Sequence, residues 1–359
     1  MDAWADPPYS ARTFLGHSQT ARMGSRIAVD AMGGDNAPKA VVEGALQALR
    51  HADEELSVLL VGPEDRVQDE IDAQEAVPDT GLHVLDAPDV IGMAEAPATA
   101  VKQKTGSSIH RGLAAHHDGK ADAFVSAGNT GAIMGAAMFI LGRIEGVERP
   151  SITGFFPTLK GSSVVLDIGS NVDCKPKHLV QFARLGTVYA RTVLKNDEPS
   201  VGLLNIGEEP GKGNEQVKEA HDLLRQADDV HFKGNVEGSD LLLYASDIII
   251  CDGFVGNVLL KFGESMTTVL TEMTEQEMER QGLSAEDRDT VAGVLGEVRK
   301  GFDPEARGGA PLLGVDGNVL VGHGRSAPDA IEQMIHSAAG LASEDVVGAI
   351  EAAFHPEAA

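Results

Sequence analysis

One junction recurs along this chain and limits what it can become. An apolar run of strand length ends on Asp, Asn or Ser, passes through a polar loop containing glycine, and enters a helix. "RIAVDAMGGDNAPKAVVEGAL", from Arg26, shows it first. Ile27–Val29 read as a short buried strand, and Pro38 stands where a first helical turn tolerates proline. Val41, Val42, Ala45, Leu46 and Leu49 then follow at helical spacing. The junction returns in "ADAFVSAGNTGAIMGAAMFILGR", "SSVVLDIGSNVDCKPKHLVQFARLGTVYA", "VGLLNIGEEPGKGNEQVKEAHDLL", "VHFKGNVEGSDLLLYA" and "DIIICDGFVGNVLLKF".

Continuous apolar strands alternating with helices specify an α/β fold, a mostly parallel sheet covered on both faces. Further strands fit 57–62 and 83–87. Residues 264–306 read as a helical pair broken near 282–287, with Val291, Val294, Leu295 and Val298 along one face. "APLLGVDGNVLVGHG" carries a hairpin signal at Asp316–Gly317, and a last helix covers about 327–353. The expected organisation is one domain over 26–359. Residues 1–25 read as an N-terminal extension, either disordered or ahead of the true start.

Open α/β sheets bind ligands outside the carboxyl ends of their strands. Those ends present, loop by loop, Asp30, Gly33, Gly34, Asp35 and Asn36; Asn129 and Thr130; Asp167, Asn171, Asp173 and Lys175; Asn205, Glu208, Lys212 and Asn214; Asn235 and Glu237; Asp252 and Asn257. Asp, Asn and Gly are also ordinary turn and cap residues, so no single loop decides the matter. Six of them together are expected to converge on one polar cleft.

Formal charge of −26, from 55 acidic and 29 basic residues, makes nucleic acid a poor partner. No apolar run reaches the roughly 20 residues of a membrane span. The first 25 residues lack the apolar core of a secretory signal. Two cysteines, Cys174 and Cys251, suit a reducing cytoplasm and leave no cysteine-rich zinc site. Cys251 reads as core; His110, His116 and His117 read as surface or cap residues on a helix.

Neither a GxxxxGK[ST] loop, a GxGxxG after the first strand, nor a GxSxG elbow is present. What remains is anion handling. "GKGNEQV" sets Lys212 at a helix start, where unpaired N–H groups and the dipole favour an anion, and "GNTGA" offers a second such nest. Capping by Asn214 and Asn129 is the competing explanation. A carboxylate cluster holding a divalent metal, and Cys174 as an acyl-accepting nucleophile, are weaker alternatives.

"AVDAMGGDNAP", "SAGNTGA", "LDIGSNVDCKP", "LLNIGEEPGKGN", "GNVEGSD", "CDGFVGNVLLK" and "GGAPLLGV" together resemble the acyl-carrier-protein:phosphate acyltransferase family of bacterial phospholipid synthesis. The likeness runs in order from about Ile27 to the C-terminal helix. It implies a Rossmann-like three-layer α/β/α fold, similar to phosphate acetyltransferases and the isocitrate-dehydrogenase group. It also implies transfer of a fatty acyl group from acyl carrier protein to inorganic phosphate, without cofactor or metal. The family resemblance further implies a homodimer in the cytoplasm, with loose contact to the inner membrane surface or to glycerol-3-phosphate acyltransferase.

On that reading Lys212 holds phosphate or polarises the thioester carbonyl, and Asn129, Thr130, Asn171 and Asn205 orient the substrates. The aspartates Asp30, Asp35, Asp167, Asp173 and Asp252 tie the loops or position Lys175 and Lys212. Lys102, Lys104 and Arg111 form a local basic exception for an acidic carrier protein. Departures from the family pattern are Ser170 in place of alanine, Arg307 in place of an aromatic, and the acidity of the helical pair. Competing functions are a coenzyme A-dependent phosphate acyltransferase, an isocitrate-dehydrogenase-like oxidoreductase, and a non-catalytic carrier-binding scaffold at the membrane.

Overall fold

Alternation along the first strand decides how the layers form. In β1 (Ser25–Asp30) Ile27 and Val29 join one apolar core while Ala28, between them, joins a second on the opposite face. This is the period of two expected of a strand buried on both sides. The computed structural model describes residues 24–52, 55–78, 80–301 and 308–355. The reading of an N-terminal extension therefore lies outside the described residues up to residue 23, and β1 already begins at Ser25. Arg307 also lies outside them.

After β1 come α1 (Lys39–His51), β2 (Leu56–Gly62), α2 (Glu64–Asp72), β3 (Leu82–Asp86), α3 (Pro97–Gln103) and α4 (Ser108–His117). β4 (Ala123–Ser126), α5 (Thr130–Ile140), β5 (Ser151–Ile152), β6 (Gly154–Thr158), β7 (Gly161–Leu166) and α6 (Pro176–Thr192) follow. Next are β8 (Ser200–Asn205), α7 (Glu215–Leu224), β9 (His231–Glu237), β10 (Ile248–Ile250), α8 (Gly253–Arg280) and α9 (Ala285–Gly301). The chain closes with β11 (Ala310–Leu313), β12 (Val319–Val321), α10 (Pro328–Ser343) and α11 (Val346–Phe354).

The strands divide between two sheets rather than forming one. The larger has the order β3-β2-β1-β4-β12-β11-β5, and the smaller β6-β7-β10-β8-β9. Pairing is parallel from β3 to β12 and from β7 to β9, with β11 and β6 antiparallel to their neighbours. The predicted hairpin forms, Ala310 opposite Val321. The expected last helix is two, because Asp345 takes a left-handed conformation (φ 49°) and caps α11 through Gly348 N–H.

Both cores run from one sheet to the other. Val125 of β4 and Leu166 of β7 share one, while Phe124, Val165 and Ile249 share the second. α1 and α10 cover the first face of the larger sheet; Ile109 and Leu113 of α4 and Ile133 of α5 cover the other. Each fully buried Leu, Ile or Phe contributes roughly 1.5–3 kcal/mol, so the two cores hold the sheets at a fixed relative position. α8 and α9 project with most side chains exposed; within the pair, Met278 is buried.

Candidate active site

At the carboxyl edge of the larger sheet, β1 delivers Asp30 and β4 delivers Ser126 side by side. Ser126 Oγ donates to Asp30 Oδ2 (2.6 Å) and accepts from Gly128 N–H (3.0 Å), while Met32 N–H donates to Asp30 Oδ1 (3.0 Å). Gly33 lies so close that a Cβ there would fall 2.7 Å from Asp30 Oδ2 and 2.8 Å from Gly128 N. Burial pushes the Asp30 carboxyl above the usual carboxylate range, against hydrogen bonds that favour its charged form. Asp35 N–H donates to Gly324 O (2.6 Å) and Asn36 Nδ2 to Arg325 O (3.3 Å), which ties this loop to the one after β12. Asn129 caps α5 through Ala132 N–H (3.1 Å). Its Nδ2 donates to the carbonyls of Gly92, Met93 and Glu95, so the amide holds the 92–95 loop.

A second cluster forms at the carboxyl edge of the smaller sheet. Asp167 is buried and accepts from the backbone N–H groups of Gly169 (2.8 Å) and Ser170 (2.7 Å) and from the side chains of Ser170 and Asn171. Burial pushes its carboxyl up as well. Asn171 also donates to Pro150 O (2.7 Å), and Gly253 N–H donates to Asn171 O (2.8 Å). Asp252 caps α8 and Asn214 caps α7. Asn205 Nδ2 donates to Lys212 O (3.1 Å), and Asn235 Nδ2 to Glu209 O (2.9 Å). Gly213 (φ 95°) packs on the Asn205 amide, a conformation only glycine adopts freely. Lys212 itself is half exposed, with Glu209 Oε2 at 3.9 Å. Asp173, Lys175 and Glu208 face solvent, and Glu237 is half-buried at the end of β9.

The expected convergence of every loop on one polar cleft is thus replaced by two clusters with a cavity of about 300 Å³ between them. Much of its wall is apolar: Ile152, Phe155, Ile168, Leu260, Val321 and Met334. Thr130 and Asn257 are the sequence-predicted site residues that line it. Lys261, Glu264, His323, Ser326 and Thr153 line it too, and were not singled out from the sequence. Lys261 Nζ donates to Glu264 Oε2 (2.9 Å) and lies 3.4 Å from His323 Nε2. Arg325 N–H donates to His323 Nδ1 (3.3 Å). The signal for these residues is present, since Lys261 closes "CDGFVGNVLLK" and His323 sits in "VGHG", but a lone helical lysine and a lone loop histidine carry no spacing that marks a site. A group that fills this cavity meets an apolar wall, an ammonium, an imidazole and the N-terminus of α5 together.

Other predicted positions lie elsewhere. Lys104 Nζ is bound to Glu95 Oε1 (2.6 Å) and Val90 O (2.7 Å), so much of its charge is compensated within the chain. Arg111 donates to Asp86 O (2.6 Å), while Lys102 is exposed. His110 is buried, and His116 bridges Ala121 O (2.9 Å) and Asn318 N–H (2.9 Å), so of the surface or cap residues expected on this helix, these two do not lie free on the surface. Burial and the nearby Asp167 and Asp252 push the Cys174 thiol up to about 12, which leaves it a poor nucleophile.

The two sheets of this α/β fold pack around the cleft, which both of them line. The chain belongs to the fatty acid synthesis protein family, whose pattern it matches over residues 25–348. It is 74% identical over 335 residues to the phosphate acyltransferase of Salinibacter ruber, covering 93% of this chain and 99% of that one. It is 47% identical over 328 residues to the phosphate acyltransferase of Chlorobaculum parvum, covering 89% and 96%. The fold is shared with a phosphotransacetylase from Streptococcus pyogenes, with a TM-score of 0.61 at 16% identity over 90% of this chain and 95% of that one.

Proposed function

We propose that this enzyme transfers a fatty acyl group from acyl carrier protein to inorganic phosphate, giving acyl phosphate for phospholipid synthesis. The observation that carries the reading is the inter-sheet cavity, where an apolar wall suited to an acyl group meets Lys261, His323 and the start of α5. Relatives named phosphate acyltransferase supply the nucleophile's identity. Phosphate attack on a thioester needs a seat for an anion and stabilisation of the carbonyl oxygen, and both are electrostatic tasks. Lys212 keeps the role of anion seat: its ammonium is half exposed and its loop leads into the N-terminus of α7.

Lys102 and Arg111, exposed on neighbouring segments, are proposed to meet the acidic carrier protein. Phe254, Val258 and Phe262 stand exposed four residues apart on α8 and are proposed to pack in a homodimer. Val294 and Val298 of α9 are exposed as well. The neighbouring Glu272, Glu275, Glu279 and Asp289 would repel anionic lipid, which supports packing against protein over membrane contact. No helix among the described residues is long and apolar enough to cross a membrane.

The test incubates purified enzyme with acyl carrier protein thioester or acyl coenzyme A, with and without phosphate. Phosphate-dependent thiol release from the carrier protein supports the reading. Release from coenzyme A alone would move the donor assignment, and release from neither would overturn the function.

A further inference from the structure

We propose that Lys261 and His323 together form the oxyanion hole for the thioester carbonyl, with Glu264 fixing the lysine. This rests on the acyl-transfer reading above and deepens it. Two observations support it.

The first is the pair itself. Lys261 Nζ and His323 Nε2 are 3.4 Å apart at the cavity wall, although one comes from α8 and the other from the loop after β12. Arg325 N–H approaches Nδ1 at 3.3 Å, and in the tautomer where Nδ1 accepts it, Nε2 carries the hydrogen and is a donor beside the Lys261 ammonium. An ammonium and an imidazole N–H then point into the same space. One oxygen placed between them accepts from both, and a developing negative charge on that oxygen strengthens both bonds.

The second observation is how the pair is held. Glu264, one turn along α8, takes Lys261 Nζ with both carboxylate oxygens, at 2.9 and 3.3 Å. The Arg325 amide fixes the ring of His323. Donors that are positioned before the reaction cost no reorganisation during it.

A phosphate oxygen attacks the carbonyl carbon, the C–O bond forms, and the carbonyl electrons move onto the oxygen held by Lys261 and His323. The tetrahedral species collapses, C=O re-forms, and the C–S bond breaks with its electron pair leaving on sulfur. That sulfur takes the proton surrendered by hydrogen phosphate, so acyl phosphate and carrier thiol are the products.

The test measures steady-state kinetics of full-length Lys261→Ala, His323→Ala, His323→Gln and the Lys261→Ala/His323→Ala pair, after circular dichroism has shown that each is folded. Expected is a loss of roughly 10²–10³ in kcat at saturating phosphate for either alanine variant, with little change in KM for phosphate. The double variant should lose far less than the product of the single effects, and His323→Gln, which keeps an N–H donor, should retain more turnover than His323→Ala. Loss that more phosphate restores would make Lys261 a phosphate seat and overturn the proposal. So would near-normal kcat in folded Lys261→Ala and His323→Ala. If Lys261→Ala does not fold, Lys261→Met and the histidine pair decide in the same way. Wild-type enzyme with no phosphate-dependent thiol release would instead defeat the underlying function.

Discussion

Lys261 Nζ and His323 Nε2 lie 3.4 Å apart across 62 positions of sequence. Their meeting is a product of topology. α8 starts at the end of β10 in the smaller sheet, and the His323 loop starts at the end of β12 in the larger one. Only the packing of the two sheets through shared cores brings them together, and that same packing encloses the cavity.

Lys212 separates two roles by kinetics. As a seat for phosphate outside the cavity wall, its replacement by alanine should raise KM for phosphate about tenfold or more, since hydrogen bonds to charged groups contribute roughly 1.5–3 kcal/mol. Steady-state assays over a wide phosphate range check this. A change below about threefold would identify a solvated loop lysine, because surface substitutions are worth about 0.5 kcal/mol or less.

Cys174 should be chemically quiet. A thiol pushed up to about 12 holds on the order of 10³-fold less thiolate at neutral pH than an ordinary cysteine. Cys174→Ala is expected to keep most of its turnover, since no chemistry passes through a protonated thiol, and iodoacetamide should label the native enzyme slowly. Rapid labelling coupled to inactivation, or an acyl group trapped on Cys174, would contradict this.

Gly33 is required for the approach of β1 and β4. Gly33→Ala places a Cβ 2.7 Å from Asp30 Oδ2 and 2.8 Å from Gly128 N, and the second of these is backbone that cannot step aside cheaply. The expected destabilisation is about 1–3 kcal/mol, measured by denaturant unfolding. An unchanged midpoint would show that the two loops sit further apart.

Asp30 gives a pH signature with a definite sign. Burial raises its folded pKa above the unfolded value of about 3.9, so the folded state holds the proton more tightly. Its contribution is full below the unfolded pKa and is lost as pH rises through the folded one. Asp30→Asn does not titrate. The stability advantage of wild type over this variant should therefore shrink as pH rises above about 4. An advantage that grew with pH would mean a charged, well-compensated carboxylate.

Much of the fold was legible because periodicity is local. The alternation of Ile27, Ala28 and Val29, the helical spacing after Pro38 and the Asp316–Gly317 turn each carry their own signal. Division into two sheets was not, because a strand such as "IIIC" does not record which neighbours it pairs with. β5 is two residues long, and β6 contains Pro157, which only an edge strand accommodates; both escape a reading by propensity. The candidate site was half legible for the same reason. Loop chemistry pointed to Thr130 and Asn257, whereas Lys261 and His323 become functional candidates only once α8 meets the loop after β12. Asn129 and Asp167, conspicuous in the sequence, are occupied by cap and loop bonds.

Acyl transfer to phosphate is tested most directly by mixing purified enzyme, acyl carrier protein thioester and inorganic phosphate, and following free carrier thiol alongside acyl phosphate trapped by hydroxylamine. The expected result is one trapped acyl group per thiol released, with both saturating in phosphate and both lost together in Lys261→Ala. Thiol release that is independent of phosphate, or that leaves free fatty acid in place of acyl phosphate, would contradict it.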